Sequence, residues 1–265
     1  MIWQQTNGLF LQRFDQLGER SWREDLSYKL IFSPAGKGRY QTKFGDMSIE
    51  EGAFLLMNPT APHKQLHAFQ EKFLVEVHPF FIQEAAAELS IHAPVEFAEV
   101  SYKHPLFLQW LSFVRGYLTD HQDQSSDLLL DHALTQLAVL MVEYGAGSHQ
   151  VDLPVSRYSD PIRQLMAALK EGYTTAWTLD DMAVAAQMNK YQLAHWFKRE
   201  TGLAPYSWLQ LYRLIRSQPD LLYTTESILP LALKHGFSSV SSYHALFKKM
   251  YGKTPTQLRR SYQHP

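Results

Sequence analysis

The segment Phe197-Lys-Arg-Glu-Thr-Gly202-Leu-Ala-Pro205 recurs fifty residues later as Phe247-Lys-Lys-Met-Tyr-Gly252-Lys-Thr-Pro255. Phenylalanine, lysine, glycine and proline keep the same spacing in both copies. Upstream of each copy, Met182-Ala183-Val-Ala-Ala-Gln187 matches Leu231-Ala232-Leu-Lys-His-Gly236 at an offset of 49. An internal duplication of this kind indicates two copies of one supersecondary unit.

Each copy has the pattern of two helices joined by a tight turn. Ala183 and Ala232 are small residues at the point where the helices of such a unit must approach closely. The repeat therefore predicts two helix-turn-helix units, at about residues 178–200 and 227–250.

Helix start and stop signals support this division. The stretch Thr178-Leu-Asp-Asp181 has the form of a capping box, Ser227 can cap the equivalent helix, and Thr254-Pro-Thr-Gln257 combines a cap with a first-turn proline. Gly202 and Gly252 follow the second helices, where a left-handed residue satisfies the last carbonyls. A helical repeat used only for packing carries the same glycine and proline marks, so these signals alone do not define a function.

The charge of the chain is divided unevenly. The net charge is −1, yet residues 158–265 hold 13 lysines and arginines against 7 aspartates and glutamates, whereas residues 1–157 hold 12 against 19. A basic part, at +6, therefore follows an acidic part, at −7. This asymmetry favours a polyanionic partner for the C-terminal part alone.

Composition excludes several classes of protein. The 265 residues, 45% hydrophobic and 19% charged, are typical of two globular domains of ordinary size. We expect a cytoplasmic protein without membrane contact, because there is no signal-peptide pattern and no apolar run near the roughly 18 to 20 residues of a membrane-spanning helix. The absence of cysteine removes disulfides, thiolate metal sites and cysteine nucleophiles.

The N-terminal half predicts an antiparallel barrel or sandwich followed by helices. Short apolar runs between turn residues predict strands at residues 28–32, 39–44, 53–57 and 72–78. Apolar residues at helical spacing predict helices at residues 81–89, 106–118 and 128–144. The stretch 146–157 has the glycine, serine and proline content of a linker, which separates a domain of residues 1–145 from one of residues 158–262.

The C-terminal residues resemble a known family. The stretches Trp177 to Pro205 and His235-Gly-Phe-Ser to Lys249 are similar to the AraC/XylS family of bacterial transcription regulators. The resemblance covers roughly residues 158–262 and includes a terminal Pro-x-x-x-Arg pattern from Pro255 to Arg259. It implies a sequence-specific regulator whose two recognition helices, the second helix of each unit, enter successive major-groove segments of double-stranded DNA.

The resemblance also implies the fold class. This is an α+β protein with a cupin-like antiparallel β-barrel followed by helices, then an all-α domain whose two helix-turn-helix subdomains are joined by a connecting helix from Tyr206 onward. The turn from Gly52 to His63 is similar to that of the cupin-like barrels in front of this domain in many family members. We further expect a homodimer that involves the apolar helix 127–144, RNA polymerase as a second partner, and no cofactor.

A recognition helix presents its early turns to base edges. Leu193, Trp196 and Phe197 share one side of the first helix and are predicted to pack inward. The residues that we expect to contact DNA are Lys190, Tyr191, Ala194, His195, Lys198 and Arg199 in the first unit and Ser239, Val240, Ser242, His244, Lys248 and Lys249 in the second. Tyr191 and His195 are the candidates for base contact, whereas the lysines and arginine nearer the helix ends, with Lys253, are candidates for phosphate contact.

Several positions depart from the family pattern. Gln187 stands where the second copy has Gly236, and His195 and Ala245 stand where the motif commonly has arginine. Because Ala245 cannot donate a hydrogen bond, we expect the second unit to contact fewer bases and to hold the backbone instead. Pro219 lies inside the connecting helix, and since such a proline costs roughly 3 kcal/mol, we expect it to kink or end that helix and change the spacing of the recognition helices.

A barrel of this size can hold a small-molecule effector. The predicted lining consists of Phe32, Tyr40, Phe44, Phe54 and Phe73, with His63 at the mouth, although simple core packing explains each aromatic residue as well. Two alternatives stay open: an effector-independent regulator whose barrel serves only dimerisation, and a metal-dependent cupin enzyme with His63, His67 and His78 as ligands. The enzyme is disfavoured because residues 28–46, where metallocupins carry a His-x-His pair, contain no histidine.

Overall fold

The computed structural model describes residues 1–14, 21–42, 45–121, 125–150, 159–251 and 253–263. The chain divides into two compact units, Met1–His149 and Gln150–Pro265. Two residues named above, Phe44 and Gly252, lie outside the described residues, as do residues 151–157 of the predicted linker. None of the helices in the described ranges is both long enough and apolar enough to cross a membrane.

The strands of the first unit are all paired antiparallel. They are β1 (Ile2–Gln5), β2 (Gly8–Arg13), β3 (Tyr28–Ala35), β4 (Gly38–Thr42), β5 (Gly45–Ile49), β6 (Phe54–Met57), β7 (His63–His67), β8 (Glu71–Val77) and β9 (Ser101–Tyr102). One sheet has the order β1-β2-β8-β3-β6-β9 and the other has the order β5-β4-β7. The predicted α+β class with an antiparallel N-terminal domain is thereby confirmed.

The expectation of a closed barrel is wrong for the described residues. In the described part of the chain the strands form two separate sheets, a large one and a small one, without a continuous ring of pairing. The chain leaves the large sheet at the end of β3, where the register shifts between Phe32 and Ala35 and Gly36 adopts a φ of 78°. Such an irregularity ends pairing and turns the strand, so β4 pairs with β5 and β7 instead.

The large sheet is buried on both faces. Alternate residues, among them Ile31 and Leu74, point to the small sheet and share a core with Tyr40 and Met47. Residues of the opposite face contact the helices that follow, which are α1 (Pro79–Glu88), α2 (Pro105–Asp120) and α3 (Asp127–Tyr144). Phe10, for example, stacks on Trp110 of α2 at 6.5 Å between ring centroids.

Helices joined by turns and loops form the described residues of the second compact unit. Its helices are α4 (Asp160–Glu171), α5 (Leu179–Ala185), α6 (Lys190–Thr201), α7 (Pro205–Tyr223), α8 (Ile228–Lys234), α9 (Val240–Tyr251) and α10 (Pro255–Gln263). Helices α5 and α6 form the first helix-turn-helix unit, α8 and α9 form the second, and α7 connects them. The duplicated arrangement that the sequence repeat predicts is confirmed.

Pro219 does not end the connecting helix. Helix α7 continues past it to Tyr223, which corrects the expectation of an interruption. The neighbouring residues are held by buried polar contacts: Ser217 Oγ lies 3.0 Å from the Tyr243 hydroxyl, and Gln218 donates to the hydroxyl of Tyr251. These bonds from α7 to α9 compensate for the helix hydrogen bond that proline removes.

Candidate nucleic-acid interface

The turns of the two helix-turn-helix units have the same hydrogen bonds. In the first, Gln187 N–H donates to Val184 O at 3.0 Å and Met188 N–H to Ala183 O at 3.0 Å. In the second unit the same two bonds run from Gly236 to Leu233 and from Phe237 to Ala232, at 3.0 and 3.1 Å. This is a Schellman ending, which requires a left-handed residue, and Gln187 and Gly236 have φ values of 54° and 81°.

The first recognition helix is fixed at its start by a reciprocal cap. The Asn189 side chain accepts from the N–H of Gln192, whose own side chain accepts from the N–H of Asn189. Leu193 and Phe197 are buried, as predicted. The helix ends at Gly202, whose φ is 84°, as its place in the repeat predicts.

The first recognition helix exposes most of the residues predicted to contact DNA. Tyr191 is 81% exposed, His195, Lys198 and Arg199 are exposed, and Ala194 is half-buried. Lys190 is exposed and forms an ion pair with Asp180 of α5, with 3.2 Å between nitrogen and oxygen. Solvent therefore reaches the helix face that the sequence assigns to DNA.

Trp196 lies on the surface, which corrects the expectation that it packs inward. The indole is 40% exposed, and the Arg199 guanidinium stacks over it at 4.6 Å from the ring centroid. The neighbouring position is occupied by buried Phe197, so successive residues of the helix point to different sides. The stacked pair holds the positive charge of Arg199 near the helix end.

The second recognition helix presents a smaller and less aromatic surface. Ser239 Oγ accepts from the N–H of Ser242 at 3.1 Å and so caps the helix start. Ser242, Lys248 and Lys249 are exposed, whereas Ser239, Val240 and His244 are half-buried. Ser241, which is exposed and stands fifty residues after Tyr191, was missed in the sequence analysis, although the repeat offset points to it.

Tyr243 and Phe247 are buried in the second unit, as expected from the sequence. They form an aromatic cluster with Phe237 and Tyr251, whose rings follow one another at centroid distances of 4.9, 5.6 and 5.0 Å. Burial raises the pKa of Tyr243 beyond the ordinary tyrosine range. The cluster fixes α9 against α8 and α7.

The caps that the sequence predicts differ in how they form. The Thr178 and Asp181 side chains form the predicted capping box at the start of α5, and Thr254 and Gln257 form a matching pair at the start of α10. Ser227 does occupy the cap position of α8, but its hydroxyl makes no cap hydrogen bond there.

A buried arginine of the connecting helix is bonded to the loop between α4 and α5. Arg213 is 3% exposed, and it donates from Nε to Tyr173 O and from Nη2 to Thr175 O, both at 2.6 Å. The α8–α9 turn of the second unit packs at the same place. A Cβ atom on Gly236 would lie 2.8 Å from Thr174 Cα and 2.9 Å from Thr174 O. The loop between α4 and α5 therefore contacts both the connecting helix and the turn of the second helix-turn-helix unit.

Polar contacts complete this junction. His235 donates from Nε2 to Asp220 Oδ2 at 2.9 Å, and its Nδ1 lies 3.4 Å from the Tyr173 hydroxyl. Lys234 forms an ion pair with the same Asp220 oxygen at 2.7 Å. The hydrogen bond from Lys234 holds the pKa of Asp220 below its usual value, and burial lowers the pKa of His235. The junction thus anchors α8 to α7.

A second candidate site is a cavity of about 150 Å³ between the two sheets of the N-terminal compact unit, Met1–His149. Its apolar side is lined by Leu9, Leu11, Ile31 and Leu74. Its polar side is lined by Arg23, Lys29, Tyr40, His63, Lys72 and Glu76.

The structure separates the residues predicted to line an effector site. Tyr40 and His63 lie in the cavity wall. Phe32 pairs with Phe54 and Phe73 across neighbouring strands, so the three share a face of the large sheet. That face is turned to α2, since Phe54 stacks on Phe107 and Arg115 lies over the Phe32 ring. Their role in effector binding stays a prediction.

The histidines of the metal alternative have other partners. His63 Nδ1 lies 2.8 Å from Ala61 O, and His78 accepts from the N–H of Phe80 at the start of α1. Within the described ranges, no three or more histidine, cysteine or acidic residues are grouped to hold a metal ion.

The fold and the site define a class: a protein with an antiparallel N-terminal domain and two consecutive helix-turn-helix units on one connecting helix. A model of an AraC-like ligand binding domain matches residues 11–138, and a model of a helix-turn-helix domain matches residues 182–261. The chain belongs to the AraC/XylS family of transcription regulators.

Curated relatives match about a third of the chain. The HTH-type transcriptional regulator MtrA of Neisseria gonorrhoeae is 36% identical over 84 residues, which are 32% of this chain and 28% of MtrA. The TetD protein of transposon Tn10 from Escherichia coli is 30% identical over 100 residues, 38% of this chain and 72% of TetD. The chain thus spans less than a third of MtrA and most of TetD.

Among solved structures, the DNA-binding domain of AdpA in complex with a target DNA is similar to this chain. The identity is 27%, the TM-score is 0.38, and the match covers 40% of this chain and 95% of that one.

Proposed function

We propose that this protein is a sequence-specific transcription regulator that binds double-stranded DNA through helices α6 and α9. The observation that carries the proposal is the pair of matching helix-turn-helix turns, each followed by a recognition helix with an exposed face and cations near its end. DNA as the partner requires a cytoplasmic location. We further propose a homodimer, with RNA polymerase as a second partner.

The two recognition helices have different parts in this proposal. Tyr191 and His195 of α6 contact base edges, since they are exposed polar side chains in its early turns. Lys198, Lys248 and Lys249 contact phosphates, which sets affinity without setting sequence. The predicted contact set also includes Ala194, Lys190 and Arg199 of the first helix-turn-helix unit and Ser239, Val240, Ser242 and His244 of the second.

In vitro selection of DNA sequences with the full-length protein tests this proposal, because it reports binding, half-site spacing and symmetry together. If about six phosphates are neutralised, log affinity falls with log salt at a slope of roughly −5. Replacement Lys248→Met is expected to reduce the slope by about 1, whereas Glu171→Gln, at an exposed carboxylate in the same unit, leaves it unchanged. A slope near zero would overturn the proposal.

We also propose that the N-terminal domain is a sensor whose ligand changes how the C-terminal domain binds DNA. The cavity between the sheets supports this, because ligand sites are concave and combine apolar walls with a few polar groups. A ligand shifts the DNA affinity only if it binds two states of the protein differently. A set of cavity ligands that bind without changing DNA affinity would favour a regulator whose N-terminal domain serves only dimerisation, and sedimentation would test the dimer.

A further inference from the structure

The guanidinium group of Arg213 lies where three elements meet. Arg213 belongs to the connecting helix α7, and it donates to Tyr173 O and Thr175 O in the loop between α4 and α5. The turn between α8 and α9 reaches the same group, because a Cβ atom on Gly236 would lie 3.0 Å from Arg213 Nε. One side chain of α7 therefore contacts both the loop that leads into the first helix-turn-helix unit and the turn of the second.

The loop between α4 and α5 is braced by its own hydrogen bonds. Thr175 Oγ1 and Trp177 Nε1 both donate to Gly172 O at 2.8 Å, and the N–H of Thr175 donates to the same oxygen at 3.1 Å. The loop ends at Thr178, whose side chain caps α5. These bonds give the loop a defined shape, so it forms a fixed surface against which the turn of the second helix-turn-helix unit rests.

An arginine is suited to this place by the shape of its side chain. The two carbonyl groups that accept from Arg213 stand two residues apart in the loop and bond to different nitrogens. A guanidinium presents its donors in a rigid planar fork, whereas the ammonium group of lysine is a single point of charge. Burying a charged group is costly unless it is hydrogen-bonded, and an apolar side chain would fill the same space in α7 without that cost. The bonds to the loop therefore account for the guanidinium.

The position of these contacts bears on the two recognition helices. Helices α5 and α6 pack on each other and on α7, and so do α8 and α9. The turn at Gly236 directly precedes α9, which begins at Val240, and the loop directly precedes α5. A contact between the turn and the loop lies to one side of α7, so it resists rotation of the second helix-turn-helix unit about the axis of that helix.

We propose that Arg213 is a positioning residue that sets the distance and angle between α6 and α9. By holding the α4–α5 loop against the α8–α9 turn, it restricts the protein to one spacing between the two DNA segments that the recognition helices contact. This inference rests on the proposed DNA-binding function, for which it names the residue that determines spacing specificity.

Distances between spin labels test the positioning role without DNA. The chain contains no cysteine, so Val184→Cys and Leu233→Cys place one label in each helix-turn-helix unit, at equivalent and exposed positions of α5 and α8. An excess of unlabelled protein removes distances between subunits. Double electron–electron resonance on the full-length protein should give a single narrow distribution. Addition of Arg213→Lys should broaden or shift this distribution by about 3 Å, close to one base-pair step.

Arg213→Lys keeps the charge but cannot bond both carbonyls in a fixed geometry. The matched control is Arg163→Lys, at an exposed arginine of α4 that pairs with Asp160, and it should leave the distribution unchanged. If Arg213→Lys fails to fold by circular dichroism, Trp177→Phe replaces it, because this variant removes the bond to Gly172 O and should also broaden the distribution. A wild-type distribution in the folded variant would show that α7 alone positions the two units, and would overturn the proposal.

Selected DNA with one base pair inserted between the two contacted segments tests the consequence for binding. The insertion turns one segment relative to the other by about 34°. By fluorescence anisotropy, the wild-type protein should bind the inserted DNA at least about tenfold more weakly than the selected DNA. With Arg213→Lys this ratio should fall below about threefold, because the two units are no longer preorganised for one spacing. A wild-type protein that tolerates the insertion, or a folded Arg213→Lys protein with the wild-type ratio, contradicts the inference.

The two measurements separate this inference from the proposed DNA-binding function. If the label distances respond to Arg213→Lys but no DNA is bound, the positioning role of Arg213 is retained and the DNA-binding function is lost. If selected DNA is bound but neither the distances nor the tolerance of the insertion respond to Arg213→Lys, the DNA-binding function is retained and this inference is lost.

Discussion

The two helix-turn-helix units share a backbone and differ in the residues placed on it. Both turns have the same two hydrogen bonds and a left-handed residue, which is Gln187 in the first and Gly236 in the second. Gln187 is exposed, whereas Gly236 faces the loop at Thr174. A turn glycine can be needed for two reasons. A residue with a side chain can adopt the positive φ, as Gln187 does, but it cannot fit where a neighbouring backbone lies as close as Thr174 lies to Gly236.

The same contrast extends to the recognition helices. The first carries Tyr191, His195 and Trp196, whereas the second has Ser241, Ala245 and Leu246 at the offset of fifty. The second helix-turn-helix unit is tied to the connecting helix by charged side chains, since His235 and Lys234 both bind Asp220. We therefore propose base contact for the first helix-turn-helix unit and anchoring for the second.

Gly236→Ala has the largest expected effect. The added methyl group meets the backbone of Thr174 at under 3 Å, and alanine is strained at a φ of 81°. We expect the free energy of unfolding of the compact unit Gln150–Pro265 to fall by about 3 kcal/mol, measured by urea denaturation. The control is Gly172→Ala in the same unit, where a Cβ atom has its nearest neighbour at 3.4 Å. Equal effects of the two variants would show that the close approach does not matter.

Tyr191→Ala follows in size. Loss of a base contact is expected to weaken binding to the selected DNA by about 2 kcal/mol, roughly 30-fold, and to relax sequence preference at one position. Ser241→Ala, at the equivalent site, is expected to change affinity less than about threefold. Titrations of matched and mismatched DNA measure both, and Tyr191→Phe separates the hydroxyl from the ring. A larger effect at Ser241 would reverse the assignment of the two units.

The sequence predicted the duplicated part well because its signals are local. Helix α6 ends at Thr201, one residue after the predicted end of the first helix-turn-helix unit, because the repeat and Gly202 act within or directly beside the helix itself. The prediction for Trp196 was wrong because this residue adjoins the buried face of the helix. Its indole lies on the surface, where the Arg199 guanidinium stacks over it.

The sheets were harder to predict because their signals are not local. Strand β7 is polar, yet His63 and Gln65 are buried, and Gln65 is satisfied by Tyr40 and Lys72 from other strands. Periodicity cannot reveal a buried polar residue whose partners are distant in sequence. The effector prediction was limited for the same reason: both faces of the large sheet are apolar, and only register shows that Phe32 and Tyr40 belong to different layers.

Asp220→Asn tests the anchoring of the second unit. At pH 7 we expect the free energy of unfolding of the compact unit Gln150–Pro265 to fall by about 1 kcal/mol, because the charged hydrogen bonds to Lys234 and His235 are weakened. The folded-state pKa of Asp220 is lowered, so its contribution is present above the ordinary carboxyl pKa and lost as pH falls through the folded value. The gap between wild type and variant should therefore shrink with acidification below about pH 4.

Two features of this pH series serve as checks. The lowered pKa of His235 also reduces stability as pH falls below its ordinary value, so both proteins should show that earlier loss. Glu171→Gln, at an exposed carboxylate of the same unit, should follow wild type throughout. A gap that stays constant down to pH 3 would mean that Asp220 acts by packing and not by charge.

Gln187→Gly has the smallest expected effect and the opposite sign. A non-glycine residue in the left-handed region costs roughly 1 to 2 kcal/mol, and glycine removes this cost but gains freedom in the unfolded chain. We expect a net gain of about 0.5 kcal/mol in the free energy of unfolding, by urea denaturation, and a similar gain for Gln187→Asn, which tolerates this conformation. Loss of stability in both variants would mean that the glutamine side chain makes a stabilising contact, and the first turn would then differ from the second by more than the space around its Cβ atom.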